Sequence, residues 1–285
     1  MSFYKDKNVL VTGALGMIGK ELVELLEKEG AIIKIADLKA GDDLRNFKEC
    51  IRLCKGVDYI FHLMGVKGNP KKTKERPVDY MTPMLQCDTN MIEAANLNKV
   101  KRFLYTSSIA VENPETDKYP AWAKKTAETL IEAYRIQYPE LTQYCIVRPS
   151  NVYGRFDDIK NKESMVITSL IRSAWTHPHH LEIYGDGLNI RDFINAKDVA
   201  RGMMKALEIM PNYPVNLCSG EGVTIKRVAE IISEILNKPI KYIPITNQIM
   251  GDNKRVMEIN WDFKPEIDIE KGVKEVTKWM TGNQV

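Results

Sequence analysis

The stretch Val-Thr-Gly-Ala-Leu-Gly-Met-Ile-Gly, residues 11–19, decides the fold of this chain. It follows directly on the apolar run at residues 8–11 and precedes a helical pattern at residues 20–26. Glycines three residues apart let a chain turn sharply out of a strand, bring its backbone close to an anion, and pack the next helix on the sheet. The free N–H groups and the dipole of that helix attract phosphate. The stretch therefore predicts a strand, turn and helix that bind the pyrophosphate of a dinucleotide.

An acidic residue after the second predicted strand bears on the choice of dinucleotide. The apolar run at residues 31–36 ends in Asp37, eighteen residues after Gly19. A carboxylate at this point accepts hydrogen bonds from ribose hydroxyls and repels a 2′-phosphate, which favours NAD over NADP. Lys39 is the opposing feature, because its ammonium could reach such a phosphate. We interpret it as a surface lysine and expect NAD.

The composition is that of an ordinary globular protein. The chain has 285 residues, of which 44% are hydrophobic and 28% charged, and its formal net charge is +3. This length allows one or two domains with a large core, and so small a charge gives no reason to expect a nucleic-acid or membrane partner. The first residues lack an apolar signal core, and no stretch approaches the roughly eighteen apolar residues of a membrane span. We therefore expect a cytoplasmic protein.

The cysteines and histidines do not predict a metal site. Five cysteines, at positions 50, 54, 87, 145 and 218, are odd in number and have neither disulfide-framework nor zinc spacing, so free buried thiols are expected. The tract His177-Pro178-His179-His180 resembles a metal-binding sequence, but its proline and polar flanks favour an exposed loop. No metal is predicted.

Apolar runs alternate with amphipathic helical patterns through the first half of the chain, which is typical of βαβ units. The predicted strands are residues 8–12, 31–36, 58–64, 101–107 and 143–149, and the predicted helices are residues 17–29, 44–55, 83–98 and 121–137. Right-handed crossovers arrange such units as an α/β fold with a doubly wound parallel sheet and a cofactor at its carboxyl edge.

The alternation ends after Gly154, and the rest predicts a smaller α/β lobe that covers the substrate. We assign residues 1–154 and 191–218 to the dinucleotide-binding domain, and residues 155–190 and 219–285 to this substrate-binding lobe. The stretch 191–218 is expected to return to the main sheet. Thr224 is placed to cap a helix that ends at Leu236, and a last helix follows Asp268.

Several motifs in a fixed order identify a family. Besides the glycine turn, they are Asp43-Leu44, Ile60–Gly65, Leu104–Ser108, Arg148–Gly154, Arg191–Ile194 and Asp198–Ala200. With them the chain resembles the extended short-chain dehydrogenase/reductases over nearly its whole length, in particular the nucleotide-sugar epimerases, dehydratases and reductases. The resemblance implies a Rossmann fold, a nicotinamide cofactor and a nucleotide-sugar substrate.

The resemblance also implies which residues contact these ligands. The cofactor contacts would be Gly13, Leu15, Gly16, Met17, Ile18, Gly19, Asp37, Leu38, Asp43, Leu44, Leu63, Met64, Gly65, Thr106, Lys124, Pro149, Asn151 and Val152. The substrate contacts would be Ser108, Asn151, Val166, Arg191 and Arg255. Arg191 and Arg255 are candidates to neutralise a diphosphate, because guanidinium pairs with phosphate oxygens in a bidentate manner, although either could equally be a surface arginine.

The catalytic set of the family is a serine or threonine, a tyrosine and a lysine. The tyrosine exchanges a proton with the sugar hydroxyl while hydride moves, and the lysine ammonium holds the ribose and favours the ionised phenol. Ser108 and Lys124 fit two of these places. Tyr119 stands one residue before the third, which Pro120 occupies, and on a helix it would lie about 140° from the lysine instead of about 40°. Because proline favours the first helical position, we expect Tyr119 to be the cap residue and free of that angle.

Two further departures narrow the reaction. Ile109 and Ala110 follow Ser108 where related 4,6-dehydratases carry an Asp-Glu pair, which disfavours dehydration. Ile109 and Met165 stand where GDP-fucose synthases carry the cysteine and histidine of 3,5-epimerisation, which disfavours that reaction as well. Hydride transfer at one sugar carbon remains. We expect a C4 epimerase, with a keto-sugar reductase or sugar dehydrogenase as one alternative and a non-catalytic dinucleotide-binding protein as the other. Family members commonly dimerise through the helices at 83–98 and 121–137, so a homodimer is expected.

Overall fold

The structure is a computed structural model that describes residues 2–66, 70–157, 159–160, 164–244 and 253–282. Its strands are β1 (Asn8–Thr12), β2 (Ile32–Ala36), β3 (Tyr59–His62), β4 (Arg102–Thr106), β5 (Gln143–Pro149), β6 (Asn151–Tyr153), β7 (Leu181–Tyr184), β8 (Ile190–Asn195), β9 (Val215–Leu217), β10 (Gly222–Thr224), β11 (Ile240–Ile243) and β12 (Lys254–Arg255). Its α-helices are α1 (Met17–Lys28), α2 (Phe47–Cys54), α3 (Pro70–Glu75), α4 (Pro77–Leu97), α5 (Lys118–Gln137), α6 (Val166–Thr176), α7 (Ala196–Ile209), α8 (Ile225–Leu236) and α9 (Ile269–Met280), with 3₁₀ turns at Leu38–Ala40 and Ile109–Glu112.

The main sheet has the strand order β2-β1-β3-β4-β5-β9, and its neighbours from β2 to β5 are parallel. This confirms the predicted Rossmann-type α/β fold. The order reverses at β1, since β2 lies on one side of it and β3 to β5 lie on the other. Ligands of such sheets bind beyond the carboxyl ends of the strands at this switch point. Thr12 and His62, the last residues of β1 and β3, are register partners there.

Apart from the edge strand β2, the strands of the main sheet are buried along nearly their whole length. Every residue of β3 is buried, as are all but the first residue of β1 and of β4. Helices that cover both faces of a parallel sheet explain why these strands are continuous apolar runs instead of alternating patterns. Helix α4 begins at Pro77, six residues before the predicted start, and runs through Pro83. Tyr80 and Met84 are buried one turn apart, so packing stabilises this turn despite the proline.

The chain forms two compact units. The first comprises Met1–Pro149 and Ala200–Asn216, and the second comprises Ser150–Val199 and Leu217–Val285. Within the second unit, β8 pairs with β6, β10 and β12, and β7 pairs with β11. Of the stretch 191–218, β9 therefore lies in the main sheet and β8 does not. Helices α6, α8 and α9 supply buried apolar residues to the core of the second unit.

Several local predictions are confirmed. The Thr224 hydroxyl accepts a hydrogen bond from the Arg227 amide at 3.0 Å and caps α8, and Asp268 caps α9 in the same way. All five cysteines are free and buried. Burial raises the pKa of four of these thiols, Cys50, Cys54, Cys87 and Cys145, to about 12. Among the described residues, no helix has both the length and the apolar character that crossing a membrane requires.

Candidate functional site

The glycine turn is tightly built at the switch point of the sheet. Gly13 has a φ of 66°, and its amide donates to the Ala36 carbonyl of β2 at 2.8 Å. A Cβ atom at Gly13 would lie 2.9 Å from the Leu63 carbonyl oxygen, and one at Gly19 would collide with the Gly13 carbonyl oxygen. Only glycine fits these two positions. The turn that the sequence predicted is thus required by close backbone contacts as well as by a positive φ.

The start of α1 is suited to bind an anion. Its cap residue, Gly16, has no side chain that could accept from the first amides, and the first turn contains no acidic residue. The first N–H groups of a helix have no partner within the helix, and the helix dipole places partial positive charge there. The turn and the helix end together fit a pyrophosphate.

Asp37 connects the glycine turn to the loop after β2. Its two carboxylate oxygens accept hydrogen bonds from the Leu15 amide at 3.0 Å and from the Lys39 amide at 2.9 Å. Leu38, beside it, is exposed. The Asp37 side chain therefore shapes the turn and also puts a negative charge next to Leu15, at the position from which the sequence predicted a contact with ribose.

Asp43 and Leu44 form the next predicted contact region. The Arg45 guanidinium binds the Asp43 carboxylate, with 2.6 Å between Nη2 and Oδ2, and this hydrogen bond lowers the pKa of Asp43. Leu44 is buried, and its carbonyl accepts from the Asn90 amide nitrogen at 2.9 Å. Gly65 is exposed, and no described atom lies within 4 Å of where its Cβ would be.

A buried polar network lies behind the ends of β1 and β3. His62 is fully buried, and its Nδ1 lies 2.7 Å from the Thr12 hydroxyl while its Nε2 lies 2.9 Å from Asp88. The other carboxylate oxygen of Asp88 accepts from the Tyr105 hydroxyl at 2.6 Å. A carboxylate only accepts, so Nε2 carries the proton and Nδ1 accepts from Thr12. Burial lowers the pKa of His62 below its ordinary value, although Asp88 opposes this shift, and the net lowering is consistent with a neutral imidazole.

Lys124 joins this network. Its ammonium donates to the Met64 carbonyl at 2.9 Å and lies 3.7 Å from Asp88 Oδ2, and the residue is only 6% exposed. The same ammonium lies 4.7 Å from the centre of the Tyr105 ring. Burial alone would raise the pKa of Asp88, but Lys124 and the hydrogen bond from His62 lower it below its ordinary value. The network therefore contains a buried ion pair at the end of β3.

Sequence reasoning selected Lys124 and missed Asp88 and His62. A signal was available. His62 directly follows three apolar residues of β3, and Asp88 lies among buried apolar residues of α4. Polar residues at such positions are seldom buried without a partner. Their pairing joins residues 26 positions apart, which no local pattern predicts.

The expectation that Tyr119 caps helix α5 is wrong. The helix begins at Lys118, and Asp117 is its cap residue. Proline needs no hydrogen-bonding N–H anywhere in the first turn, so Pro120 is tolerated at the third helical position instead of the first. Tyr119 thus lies inside the helix, and the angle of about 140° between it and Lys124 applies. Its hydroxyl makes no hydrogen bond to any residue that the structure describes.

Two other predicted residues lie where β4 ends. Ser108 is half-buried, and its hydroxyl accepts from the Ala110 amide at 3.2 Å, which caps the short 3₁₀ turn after it. Ile109 and Ala110 are buried. Thr106 is buried, and its hydroxyl has no hydrogen-bond partner in the described part of the chain. A buried hydroxyl without a partner is costly, so the Thr106 hydroxyl fits contact with a ligand.

Helix α5, which carries Lys124, is attached to β5. The Arg148 guanidinium binds the Glu128 carboxylate through two hydrogen bonds, at 2.9 and 2.6 Å. Burial alone would raise the pKa of Glu128, but the arginine lowers it. Pro149, a predicted cofactor contact, follows Arg148 and is buried. The bidentate pair fixes the helix beside the strand end where cofactor contact is expected.

The second unit contains the remaining predicted residues. The Asn151 side chain donates to the Asp192 carbonyl at 2.8 Å, Val152 is buried in β6, and Val166 begins α6. Arg191 and Arg255 are register partners on the parallel strands β8 and β12. Their side chains therefore leave the same face of this sheet next to each other.

Asp192, the neighbour of Arg191 on β8, lies on the buried face of this strand. Its buried carboxylate accepts from the amides of Ser219 at 2.9 Å and Gly220 at 3.0 Å, and from the Ser150 hydroxyl at 3.0 Å. Neighbouring residues on a strand point to opposite faces, so Arg191 points away from this buried side.

These features define a class of protein. The profile of the NAD dependent epimerase/dehydratase family matches residues 9–218, and the chain belongs to this family of enzymes. The resemblance that the motifs predicted is thereby confirmed.

Individual relatives carry out different reactions of this class. GDP-mannose 3,5-epimerase 1 of Oryza sativa subsp. japonica is 27% identical over 95% of this chain and 81% of its own length. The dTDP-4-dehydro-6-deoxy-D-allose reductase of Streptomyces bikiniensis is 26% identical over 97% of each chain. Among solved structures, UDP-N-acetylglucosamine 4-epimerase of Methanobrevibacter ruminantium M1, in complex with UDP-N-acetylmuramic acid, superposes with a TM-score of 0.85 at 27% identity over 98% of this chain and 100% of that one. Nucleotide-sugar epimerases and reductases are thus the relatives of this enzyme.

Proposed function

We propose that this enzyme is an NAD-dependent nucleotide-sugar C4 epimerase. The observation that carries the proposal is the apolar, buried pair Ile109 and Ala110 behind Ser108. A reaction that also removes water or inverts a second carbon needs an additional acid and base, and these two side chains cannot transfer a proton. The solved 4-epimerase of Methanobrevibacter ruminantium M1, similar over its whole length, supports the same choice.

The cofactor would be held by the first unit. The glycine turn and the free amides at the start of α1 suit the pyrophosphate, Asp37 suits the ribose, and Thr106 offers its unpartnered hydroxyl. When bound there, the nicotinamide would supply a reversible acceptor for hydride. The negative charge of Asp37 supports NAD as the cofactor, since a 2′-phosphate would be repelled.

The residues that would move protons are Ser108, Tyr119 and Lys124. Lys124 supplies a fixed positive charge at the end of β3, where the Met64 carbonyl and Asp88 hold it. Tyr119 would take the proton from the sugar hydroxyl as hydride leaves the carbon, and would return it to the same oxygen when hydride is delivered to the other face of that carbon. Ser108 would orient the hydroxyl. Because the Tyr119 hydroxyl has no hydrogen bond to a described residue, no such bond must break for it to turn toward the sugar.

The substrate would be bound by the second unit. Arg191 and Arg255 share a face at neighbouring register positions, and a diphosphate compensates two guanidinium groups better than a single carboxylate does. Asn151 and Val166 would border the sugar nucleotide. We infer that residues 155–190 and 219–285 serve as the substrate-binding lobe.

Two alternatives have specific support. A keto-sugar reductase is supported by the similarity to the Streptomyces bikiniensis reductase. A non-catalytic dinucleotide-binding protein is supported by the position of Tyr119 inside α5, which turns it away from Lys124.

One experiment separates the three. The purified chain is incubated with NAD or NADH and with UDP-, GDP- and dTDP-sugars and their 4-keto derivatives, and proton NMR follows the sugar while absorbance follows reduced nicotinamide. A C4 epimerase interconverts two sugar epimers without net formation of reduced cofactor. A dehydrogenase or reductase changes the cofactor in proportion to the product. Thermal stabilisation by NAD without turnover of any sugar would favour the third alternative, a non-catalytic dinucleotide-binding protein.

The enzyme would act as a homodimer. Helices α4 and α5 each carry exposed large apolar residues, among them Val78, Trp122 and Ile136. Such residues on adjacent helices are suited to pack against a second copy. Light scattering at micromolar concentration measures the mass directly, and a monomer would contradict the proposal.

A further inference from the structure

Three potential metal ligands converge in the second unit, at the end of α6 and the start of β7. His180 Nε2 lies 3.0 Å from one carboxylate oxygen of Glu182, and His177 Nε2 lies 3.7 Å from the other. One ligand atom from each residue lies within 4.8 Å of the others. The two imidazole rings are nearly parallel, with centres 5.0 Å apart. His179, between them in sequence, is exposed and does not belong to this cluster.

The backbone around this cluster is fixed. The Glu182 amide donates to the Ser173 hydroxyl at 2.9 Å, which joins β7 to the last turn of α6. The Lys238 ammonium donates to the His177 carbonyl at 2.8 Å. Strand β7, with Glu182, pairs with β11. The three side chains therefore start from backbone positions that hydrogen bonds hold in place.

The proton on His177 can be assigned. Its Nδ1 lies 2.9 Å from the Ser173 carbonyl oxygen, which can only accept, so Nδ1 carries a proton. In the neutral ring Nε2 then has only a lone pair, and this lone pair faces a carboxylate oxygen of Glu182. Two acceptor atoms that face each other at 3.7 Å repel each other, and a cation between them would turn this repulsion into attraction. Histidine ligands of metals commonly have this arrangement, with the second nitrogen donating to a carbonyl.

We propose that His177, His180 and Glu182 bind a divalent transition metal of the zinc class. Two imidazoles and one carboxylate are donors that Zn²⁺ accepts, with a fourth position left for water. His180 Nε2 donates to Glu182 in the structure, so the metal replaces this proton, which moves to Nδ1 or is released to solvent. Zinc bonds of about 2.0–2.2 Å in a tetrahedron separate the ligand atoms by about 3.3–3.5 Å. The separations of 3.0 and 3.7 Å involve different oxygens of Glu182, and one ligand atom from each residue lies within 4.8 Å of the others, so the side chains must rotate to bring one oxygen close to both nitrogens.

One group opposes the metal. The Lys241 ammonium lies 3.8 Å from the carboxylate oxygen of Glu182 that faces His180. It competes with a cation for the same carboxylate. Because Lys241 is more than half exposed, its ammonium can move into solvent when a metal binds. Removal of this ammonium is therefore expected to tighten binding.

The test uses the full chain without a histidine tag and titrates it with Zn²⁺ in a calorimeter. One ion is expected to bind per chain. His177→Ala, His180→Ala and Glu182→Gln should each weaken binding by more than about tenfold, the lower end of what loss of even an outer partner costs. His179→Ala is the matched control from the same tract and should leave the affinity unchanged. Lys241→Gln should raise it.

Cobalt identifies the ligands independently. Co²⁺ at this site should give visible bands without the sulfur-to-cobalt charge-transfer band that thiolate ligands produce, which excludes the five cysteines. The proposal is overturned by the absence of stoichiometric Zn²⁺ binding, by a thiolate band, or by equal losses from His179→Ala and His177→Ala. It is also overturned if Lys241→Gln leaves the affinity unchanged. None of these readouts depends on catalytic activity.

Discussion

Replacement of Asp88 by asparagine tests the buried network that holds Lys124. The substitution keeps the shape and one acceptor oxygen but removes the charge that lies 3.7 Å from the Lys124 ammonium. At an effective dielectric constant of about 20, a pair at this distance interacts with about 4 kcal/mol. Loss of one partner of a buried pair costs about 3–5 kcal/mol, because the other charge stays buried without compensation. We therefore expect Asp88→Asn to lower the free energy of unfolding at neutral pH by that amount.

Urea unfolding followed by circular dichroism measures the effect, and a double-mutant cycle assigns it to the pair. Lys124→Met removes the ammonium and keeps a long apolar side chain. If Asp88 and Lys124 interact as the structure shows, the double variant should be more stable than the sum of the two single effects by about 2–3 kcal/mol. Additivity within about 0.5 kcal/mol would refute the coupling.

The pH dependence gives a second check on the same variant. The pKa of Asp88 is lower in the folded chain than its ordinary value, so its carboxylate stabilises the fold above that value and this stabilisation is lost as the pH falls. The pKa of His62 is also lowered from 6.5, so acidification favours the unfolded state, in which this histidine becomes charged. The folded chain should lose stability from pH 7 downward, and Asp88→Asn should lose less in the acidic range of carboxyl groups. An identical acid profile would contradict this account.

Three further predictions concern the cofactor and the chemistry. Alanine favours helix by about 1 kcal/mol over glycine. Gly19→Ala should nevertheless lower the melting temperature and the affinity for NAD, because the added Cβ meets the Gly13 carbonyl. A stabilised variant would contradict the tight turn. Asp37→Asn removes the charge and keeps an acceptor for one of the two loop amides, a loss that affects both cofactors alike. Calorimetry should therefore find the preference for NAD over NADP reduced by roughly tenfold, about 1.4 kcal/mol. An unchanged ratio would refute the role of the charge. Tyr119→Phe should lower turnover by about 10²- to 10⁴-fold with little change in substrate affinity, whereas Lys125→Ala, on the same helix, should do little; full activity of Tyr119→Phe would remove it from the mechanism.

The sheet could be predicted from the sequence because its signals are local. The strand predicted at residues 31–36 is observed as Ile32–Ala36, and the one predicted at 143–149 is observed as Gln143–Pro149. Runs of buried apolar residues between glycines and charged turns leave few alternatives. The glycine turn was equally accessible, since Gly16 and Gly19 are required by contacts with Gly13 and Ala14 within the same nine residues.

Contacts between distant residues could not be predicted. The ion pair of Asp88 with Lys124 depends on how α4 and α5 pack, and no periodicity determines that. Arg191 and Arg255 become neighbours through β12, a strand of two residues that is too short to leave a pattern. The prediction of where α5 begins was wrong for a different reason. The rule that proline occupies the first helical position is a tendency, and any first-turn position satisfies the physics behind it.

The five buried cysteines have a practical consequence. A thiol with a pKa of about 12 holds almost no thiolate at neutral pH, and the thiolate is the form that attacks alkylating reagents. The folded enzyme should therefore resist labelling at Cys50, Cys54, Cys87 and Cys145, and a label at one of them shows that this part of the chain has opened. Mass spectrometry of such labelling, carried out with and without NAD, would measure the rate at which the fold opens around each labelled cysteine.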